Sequence, residues 1–417
     1  MKTLRRPRRT TLRAATLLAA SALLAVPALA ACGDDDNGSD DAGTSVSAPD
    51  GAFPGNAAAG STIKIGLINN EGGQAISAPE NRQAAEAAAQ YANEHLNGMG
   101  GHKIELVICK QAEEPTSARD CANRMVEQKV SAVVITTTGL GDVMVPIIAG
   151  AKIPYVATAG QSTQELTNPY SFMWSGGFPS ALESMAAYAK TNGFKNVTAF
   201  TIDVPAAVNG LKMMGTPYFQ AAGVTLNIVA IPPGTPDATP QVSAGISGDP
   251  EAVVIVGETT SCTSTLKALG TVGYQGQKLG IQACATPNVV SAVGDSINGT
   301  KIFTAAQTTG DDDEARLYHA VVDKYRPGTD TSGYAYVGYQ GVLGLVRATT
   351  DLGEDTSPEA VATAIRSAKD VVLPAGGGLT FTCDGTANPM LKSVCSSGSI
   401  LAVIEDGKLT GGQVAPK

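Results

Sequence analysis

Small hydrogen-bonding residues cluster after two short apolar runs in the first half of the chain. Residues 136–139 follow the β-branched run 132–135, and residues 158–163 follow the run 153–156. Both runs are predicted to be buried parallel strands joined by a short helix at 142–150. Ligands of such sheets bind beyond the carboxyl ends of the strands. The two loops therefore suit a small polar or anionic group held by hydrogen bonds, although ordinary turns rich in Gly, Ser and Thr have the same composition.

The elements that must position these loops alternate strictly between strand and helix. A strand at 62–68 precedes an Ala-rich helix at 79–96, and the alternation restarts with a helix at 181–192. Strict alternation predicts an α/β fold with doubly wound parallel sheets. The 417 residues are enough for two or three domains of ordinary size.

No catalytic or cofactor motif is recognisable in the chain. His95, His102 and His319 are predicted outside the strand-end loops, and no G-x-S-x-G sequence occurs, which argues against a Ser–His pair. Walker A and dinucleotide fingerprints are missing. Few histidines and no C-x-x-C argue against a zinc site or a redox centre. We therefore predict that the protein is not an enzyme and that it binds no cofactor and no metal.

The charge distribution separates a basic leader from an acidic body. Removing the six basic residues of segment 1–31 takes the formal side-chain charge from −9 to −15. An acidic body with few aromatic residues argues against a nucleic-acid partner and suits a soluble protein outside the membrane.

The first residues have the pattern of a signal peptide, with basic residues up to Arg13 and an apolar stretch at 14–30. The sequence Leu-Ala-Ala-Cys-Gly at 29–33 resembles the bacterial lipobox, which implies cleavage before Cys32 and a lipid on that cysteine. The alternatives are an ordinary cleavage site or an N-terminal transmembrane helix. Residues 32–61 are predicted to be a disordered tether. We expect a lipid-anchored protein on the outer face of the cytoplasmic membrane.

Six cysteines remain after Cys32. An even number of cysteines in an exported chain implies disulfides, and six cysteines allow fifteen pairings. Proximity in the sequence favours three of them: Cys109–Cys121, Cys262–Cys284 and Cys383–Cys395.

A series of short motifs in a fixed order carries a family resemblance. They are Ile-Lys-Ile-Gly-Leu at 63–67, Asn-Glu at 93–94, Gly-Gly at 100–101, Thr-Gly at 138–139, Ile-Pro-Tyr-Val at 153–156, Glu-Leu-Thr at 165–167 and the Tyr-rich helix at 334–347. This order resembles the type I periplasmic-binding-protein fold, and specifically the leucine/isoleucine/valine-binding branch of ABC-transporter solute receptors. The resemblance implies two lobes joined by a three-crossover hinge. Lobe 1 would contain residues 62–175 and 306–372, and lobe 2 would contain residues 176–305 and 373–417.

The resemblance also implies a set of ligand contacts in the first lobe. Loops after the third and fourth strands of the family grip a ligand carboxylate with N–H and hydroxyl groups. The matching residues of this chain are Thr138, Gly139, Gly160, Gln161 and Ser162. Glu71 and Gln74, in the loop after the first strand, are further candidate contacts.

In the second lobe this chain departs from the family's pattern. The family's aromatic position is matched by Thr259 or Thr260, and its acidic position by Ala283 or Cys284, in the loop that begins with Gln282. Glu258 is either a substitute partner for a ligand ammonium group or a solvated turn residue. Asp203 ends another strand and is expected to face the same cleft. An amide, a carboxylic acid or an unusual amino-acid derivative therefore fits the site as well as leucine does.

The function that the resemblance implies is binding of a small-molecule ligand between two lobes that close by hinge bending. The expected partners are ABC permease subunits in the membrane, and the protein is expected to be a monomer. The alternative is a ligand-sensing receptor module of the same fold that signals to a membrane partner, because the fold does not determine the function.

Overall fold

The computed structural model describes residues 47–73 and 77–417, so the predicted signal peptide, Cys32 and Gln74 lie outside the described residues. The strands are β1 (Thr62–Asn70), β2 (Lys103–Gln111), β3 (Ala132–Ile135), β4 (Tyr155–Ala157), β5 (Ser171–Met173), β6 (Asn196–Ile202), β7 (Thr225–Ile231), β8 (Ala252–Val256), β9 (Gln277–Ile281), β10 (Lys301–Thr304), β11 (Val371–Val372), β12 (Thr380–Phe381), β13 (Ile400–Glu405) and β14 (Lys408–Val414). The α-helices are α1 (Pro79–His95), α2 (Pro115–Glu127), α3 (Gly141–Gly150), α4 (Thr163–Thr167), α5 (Gly177–Thr191), α6 (Pro205–Gly210), α7 (Thr216–Ala221), α8 (Thr239–Ile246), α9 (Thr259–Thr271), α10 (Pro287–Val293), α11 (Asp313–Tyr325), α12 (Tyr336–Ala348) and α13 (Pro358–Ser367). Along these ranges, no helix combines the length and the apolar character needed to cross a bilayer.

The first sheet has the strand order β2-β1-β3-β4-β5, and all its strands are parallel. Side-chain alternation in β1 places Leu67 in the core cluster that contains α1 and α12, whereas Ile68 belongs to the cluster on the other face. The alanines of α1 allow a very close helix contact. A Cβ atom added to Gly338 of α12 would lie 1.8 Å from the carbonyl oxygen of Asn81.

The second sheet has the strand order β14-β13-β10-β9-β8-β6-β7. Strands β6 to β10 are parallel, whereas β13 and β14 extend the sheet with antiparallel pairs. The predicted α/β fold with two parallel-dominated sheets is confirmed. Strand β14 was not predicted, because Gly411 and Gly412, which both have positive φ, interrupt its alternation.

The chain passes between the two sheets three times, after β5, after β10 and before β13. The family resemblance implies a third crossing at residues 372–373, but the following segment still packs on the first sheet. Leu379 and Phe381 belong to the core of that sheet, and the Cys395 N–H donates a 2.8 Å hydrogen bond to the carbonyl of Met173 in β5. The third crossing therefore lies between residues 395 and 400.

Residues 52–61 belong to the predicted tether but contact the folded body. Ala52 is buried, and its carbonyl accepts a 2.7 Å hydrogen bond from the Tyr91 hydroxyl. The ring of Phe53 lies edge-on to that of Tyr91, with 5.7 Å between the ring centroids. The Gly60 N–H donates a 2.9 Å hydrogen bond to the Gly101 carbonyl. The prediction is wrong for this segment because a polar average composition hides one aromatic anchor.

The three disulfides favoured by sequence proximity are confirmed. Cys109–Cys121 connects β2 to α2, and Cys262–Cys284 connects the first turns of α9 to the turn after β9. Their Cα atoms are 5.6 Å and 5.1 Å apart, which is within the usual range for a disulfide.

Trp174, the single tryptophan of the chain, lies fully buried at the first crossing. Its indole N–H donates a 3.2 Å hydrogen bond to the carbonyl of Gly341 in α12. The centroid of its ring lies 4.7 Å from the ring centroid of Phe381. Trp174 therefore fixes the crossing against α12 and the segment around β12.

Candidate functional site

The loop after β3 is organised around a carboxylate of the protein itself. The Gly139 N–H donates a 2.5 Å hydrogen bond to Glu113, and the Thr138 hydroxyl lies 3.1 Å from the same carboxylate. The side-chain amide of Gln111 donates a third bond at 2.6 Å. Glu113 lies two residues after the end of β2 and has the left-handed value φ = 56°, which non-glycine residues rarely adopt. The two predicted contacts of this loop are thus already hydrogen-bonded to Glu113.

The loop after β4 is organised in the same way around Glu165. The N–H groups of Gln161 and Ser162 each donate a 2.9 Å hydrogen bond to its carboxylate, and the Tyr155 hydroxyl donates one of 2.7 Å. Glu165 and Ser162 also form the capping box of α4. Burial raises the pKa of Glu165, and the hydrogen bonds act in the opposite direction.

These two loops lie in contact at the carboxyl edge of the first sheet. A Cβ added to Gly141 would lie 2.4 Å from the Ser162 hydroxyl oxygen. The Gln164 N–H donates a 2.9 Å hydrogen bond to Asp142. Gly160 packs against Glu165, because a Cβ atom added to Gly160 would lie 3.0 Å from the Cβ of Glu165. The structure therefore brings together the predicted residues Thr138, Gly139, Gly160, Gln161 and Ser162.

Glu71, the candidate after β1, takes part in an ion-pair network. Arg82 and Lys110 each lie 2.7 Å from its carboxylate oxygens. The hydrogen bond from Arg82 is the main reason that the pKa of Glu71 falls to about 2. Glu71 is therefore ionised and paired with two cations.

In the second sheet, the predicted residues follow three adjacent strands. Asp203 follows β6, Glu258 follows β8 and Gln282 follows β9, so all three lie at one edge. Asp203 and Glu258 are exposed, and Thr259 is half-buried. The Gln282 Oε1 atom is buried and has no hydrogen-bond partner among the described residues.

Glu258 has a structural role that the sequence analysis did not anticipate. It is the N-cap of α9, and its carboxylate accepts hydrogen bonds of 2.5 Å and 2.8 Å from the N–H groups of Thr260 and Ser261. Desolvation acts against ionisation, but these hydrogen bonds outweigh it and lower the pKa of Glu258. A role as the partner of a ligand ammonium group stays a prediction.

The first turns of α12 contact the carboxyl edges of both sheets. The Thr158 hydroxyl, directly after β4, donates a 3.0 Å hydrogen bond to the Val337 carbonyl. One turn further along, the Gln340 side chain donates a 3.2 Å bond to the carbonyl of Ala305, directly after β10. The two edges that carry the predicted loops are therefore tied to the same end of one helix.

Sequence reasoning missed Glu113 and Asn70 at the edge of the first sheet. Asn70 ends β1, is 1% exposed, and neither polar atom of its side chain has a partner among the described residues. Both residues follow or end a predicted parallel strand, so the rule that selected Thr138 and Gln161 applies to them as well.

Two surface cavities lie away from the strand-end loops. A groove of about 640 Å³ lies between α1 and β2, and a cavity of about 500 Å³ lies near the ends of α12 and α13. Neither is lined by a predicted site residue. In the described ranges, no group of three or more His, Cys, Asp or Glu side chains is arranged to hold a metal ion.

Comparisons with known proteins agree with this architecture. A family of periplasmic binding proteins matches residues 62–392. Solved structures with the same fold include a leucine-binding protein, LivK, from Thermotoga maritima, with 20% identity, a TM-score of 0.66, and coverage of 85% of this chain and 99% of that chain. An ABC transporter substrate-binding protein from Sphaerobacter thermophilus has 21% identity, a TM-score of 0.71 and coverage of 85% and 96%.

A third solved structure is the branched-chain amino acid transporter substrate-binding protein LivJ from Streptococcus pneumoniae in complex with isoleucine. It has 18% identity and a TM-score of 0.67, and the match covers 85% of this chain and 100% of that chain. No curated protein shows significant similarity to the chain. The matched family covers most of the chain, and the two-sheet architecture agrees with it, so this protein belongs to the periplasmic binding protein family.

Proposed function

We propose that this protein is an extracytoplasmic solute-binding lipoprotein of an ABC importer, which traps a small polar solute between two lobes. The single observation that supports this most directly is the attachment of both carboxyl sheet edges to the first turns of α12, through Thr158 and Gln340. Two largely parallel sheets whose carboxyl edges meet at one helix would provide a cleft at the position where α/β proteins bind ligands.

The proposed lobes are the two sheets with the helices that pack on them. Lobe 1 contains the first sheet, α11 to α13 and the segment up to residue 395, and lobe 2 contains the second sheet. Three chain crossings connect them, so relative motion is confined to a hinge. A solute that contacts both lobes favours the closed state by its differential affinity, and a permease distinguishes the closed state from the open one.

Thermal unfolding with a solute panel tests this proposal. The mature protein is extracted from membranes in detergent and heated with amino acids, amides, amines, polyols and carboxylates. A solute that binds the folded state raises the melting temperature according to RT ln(1 + [L]/Kd). Native mass spectrometry of the same preparation detects any co-purified solute. A flat response to the whole panel, together with no co-purified molecule, would count against the proposal.

The lipid anchor is tested separately. We expect the intact mass of the membrane-extracted protein to match a chain that begins at Cys32 and carries acyl groups. The Cys32→Ala variant is the control, and its intact mass should carry no acyl groups. Recovery of the unsubstituted protein in the soluble fraction, with no acyl mass, would contradict anchoring while leaving solute binding intact.

A further inference from the structure

Several hydrogen-bond donors at the carboxyl edge of the first sheet are already used by carboxylates of the protein. Glu113 takes the donors of Gly139 and Gln111, at 2.5 Å and 2.6 Å. Glu165 takes the N–H groups of Gln161 and Ser162, both at 2.9 Å. A ligand carboxylate at this edge would therefore meet the half-buried Glu113 in place of these donors, whereas Glu165 is buried.

Two acceptors remain at these edges, the carboxylate of Glu113 and the side-chain carbonyl of Gln282, beside the amide of Asn70. Glu113 is half-buried, lies beside the exposed Gly139, and forms no salt bridge with a described residue. The donors that its carboxylate meets in the described part of the chain are neutral. At the edge of the second sheet, the buried carbonyl oxygen of Gln282 has no partner among the described residues, and a buried acceptor without a partner is unusual in a folded protein.

We propose that the solute presents hydrogen-bond donors and no carboxylate to the edge of the first sheet, which makes it an amide, an amine or a polyol. This inference rests on the proposed solute-binding function and names its substrate class. Glu113 is the residue that determines the class, because its carboxylate accepts hydrogen bonds from such a solute and repels an anionic one.

Displacement of Glu113 by a ligand carboxylate is unfavourable for a simple reason. The incoming carboxylate would gain the donors of Gly139, Gln111 and Thr138 only by taking them from Glu113. One anion would replace another on the same donors, and the displaced Glu113 would be left nearby without partners. The exchange therefore gains no net hydrogen bond and adds like-charge repulsion.

The test uses pairs of solutes that differ only in this group, such as leucine and leucinamide, or butyrate and butyramide, with glycerol and sorbitol as polyols. Melting temperatures of the mature protein are measured with each solute, and isothermal titration gives Kd for those that respond. We expect at least one amide, amine or polyol to bind about tenfold or more tightly than its carboxylate counterpart. Tighter binding of the carboxylate members would overturn the inference and would still support the proposed solute-binding function.

Three variants locate the preference at Glu113. Glu113→Ala removes the carboxylate, and Glu113→Gly also relieves the left-handed backbone, so a folded variant is available even if alanine is poorly tolerated. Both variants should lose affinity for the donor-bearing solute and gain affinity for its carboxylate partner. Glu114→Ala, an exposed neighbour whose side chain caps no N–H group, is the control and should behave as the unsubstituted protein.

Two results would count against the inference or its foundation. An unchanged ratio of amide to carboxylate affinity in both Glu113 variants would show that another residue determines the class. If no solute bound the unsubstituted protein or either variant, the result would instead count against the proposed function. The inference rests on that function and would then be wrong as well.

Discussion

The phenol of Tyr155 donates a 2.7 Å hydrogen bond to the carboxylate of Glu165, and both side chains are buried. Tyr155 lies at the start of β4 and Glu165 lies in α4, so the bond closes the strand, loop and helix into one unit. This unit holds the N–H groups of Gln161 and Ser162 in place around the same carboxylate. The rigidity of the predicted binding loop therefore depends on a carboxylate that faces inward.

Tyr155→Phe is expected to lower the free energy of unfolding by about 1.5–3 kcal/mol, because it removes a donor from a buried carboxylate while keeping the ring. Urea unfolding at neutral pH measures the change. Tyr170→Phe is the matched control, since the Tyr170 hydroxyl bonds to Glu359 at an exposed position, and about 0.5 kcal/mol or less is expected there. Equal effects for the two variants would contradict the structural role of Tyr155.

Glu71→Gln is expected to change how stability depends on pH. The folded-state pKa of Glu71 is lowered from 4.5 to about 2, mainly by the hydrogen bond from Arg82. The stabilisation from a lowered carboxyl pKa is complete above the unfolded pKa and is lost as the pH falls through the folded pKa. The difference in unfolding free energy between the unsubstituted protein and the variant should therefore shrink as the pH falls from about 5 towards 2.

Urea midpoints for the two proteins at several pH values in this range measure that difference. Glu127→Gln, at an exposed position with no salt bridge to a described residue, is the control and should show a small difference at every pH. A difference between the unsubstituted protein and Glu71→Gln that stays constant with pH would mean that Glu71 contributes through packing and not through its charge.

Gly338→Ala is expected to destabilise the contact between α1 and α12. The added Cβ would lie 1.8 Å from the Asn81 carbonyl oxygen, which belongs to the backbone, so the helices must separate. Overpacking of this kind costs about 1–3 kcal/mol or more. Gly353→Ala is the control, because nothing lies within 4 Å of its added Cβ. Thermal unfolding compares them, and an unchanged melting temperature for Gly338→Ala would contradict the close contact.

Removal of the Cys262–Cys284 disulfide is expected to cost about 3 kcal/mol of unfolding free energy. The bond closes a segment with a sequence separation of 22 and ties α9 to the turn after β9. The double variant Cys262→Ala/Cys284→Ala tests this in denaturant titrations, with mass spectrometry to show that the other two bonds have formed. A loss below about 1 kcal/mol would indicate that packing alone holds this edge of the second sheet.

Much of the architecture was predictable from local patterns. The run 132–135 is β3, and the alternation of strands and helices gives the parallel sheets, because side-chain periodicity follows directly from local backbone geometry. The three cysteine pairs were favoured by proximity in the sequence, and the structure contains all three. The hairpin partner β14 and the late third crossing were not predicted, because neither leaves a clear periodic pattern.

The sequence by itself determined that hydroxyl and N–H groups follow β3 and β4 and lie together at one sheet edge. Only the tertiary structure decided which group they bind. Glu113 reaches Gly139 across 26 residues of sequence, and this contact exists only because β2, β1 and β3 lie side by side in the sheet. Donor positions follow from local backbone periodicity, whereas competition for those donors depends on side chains that distant segments bring to the same place.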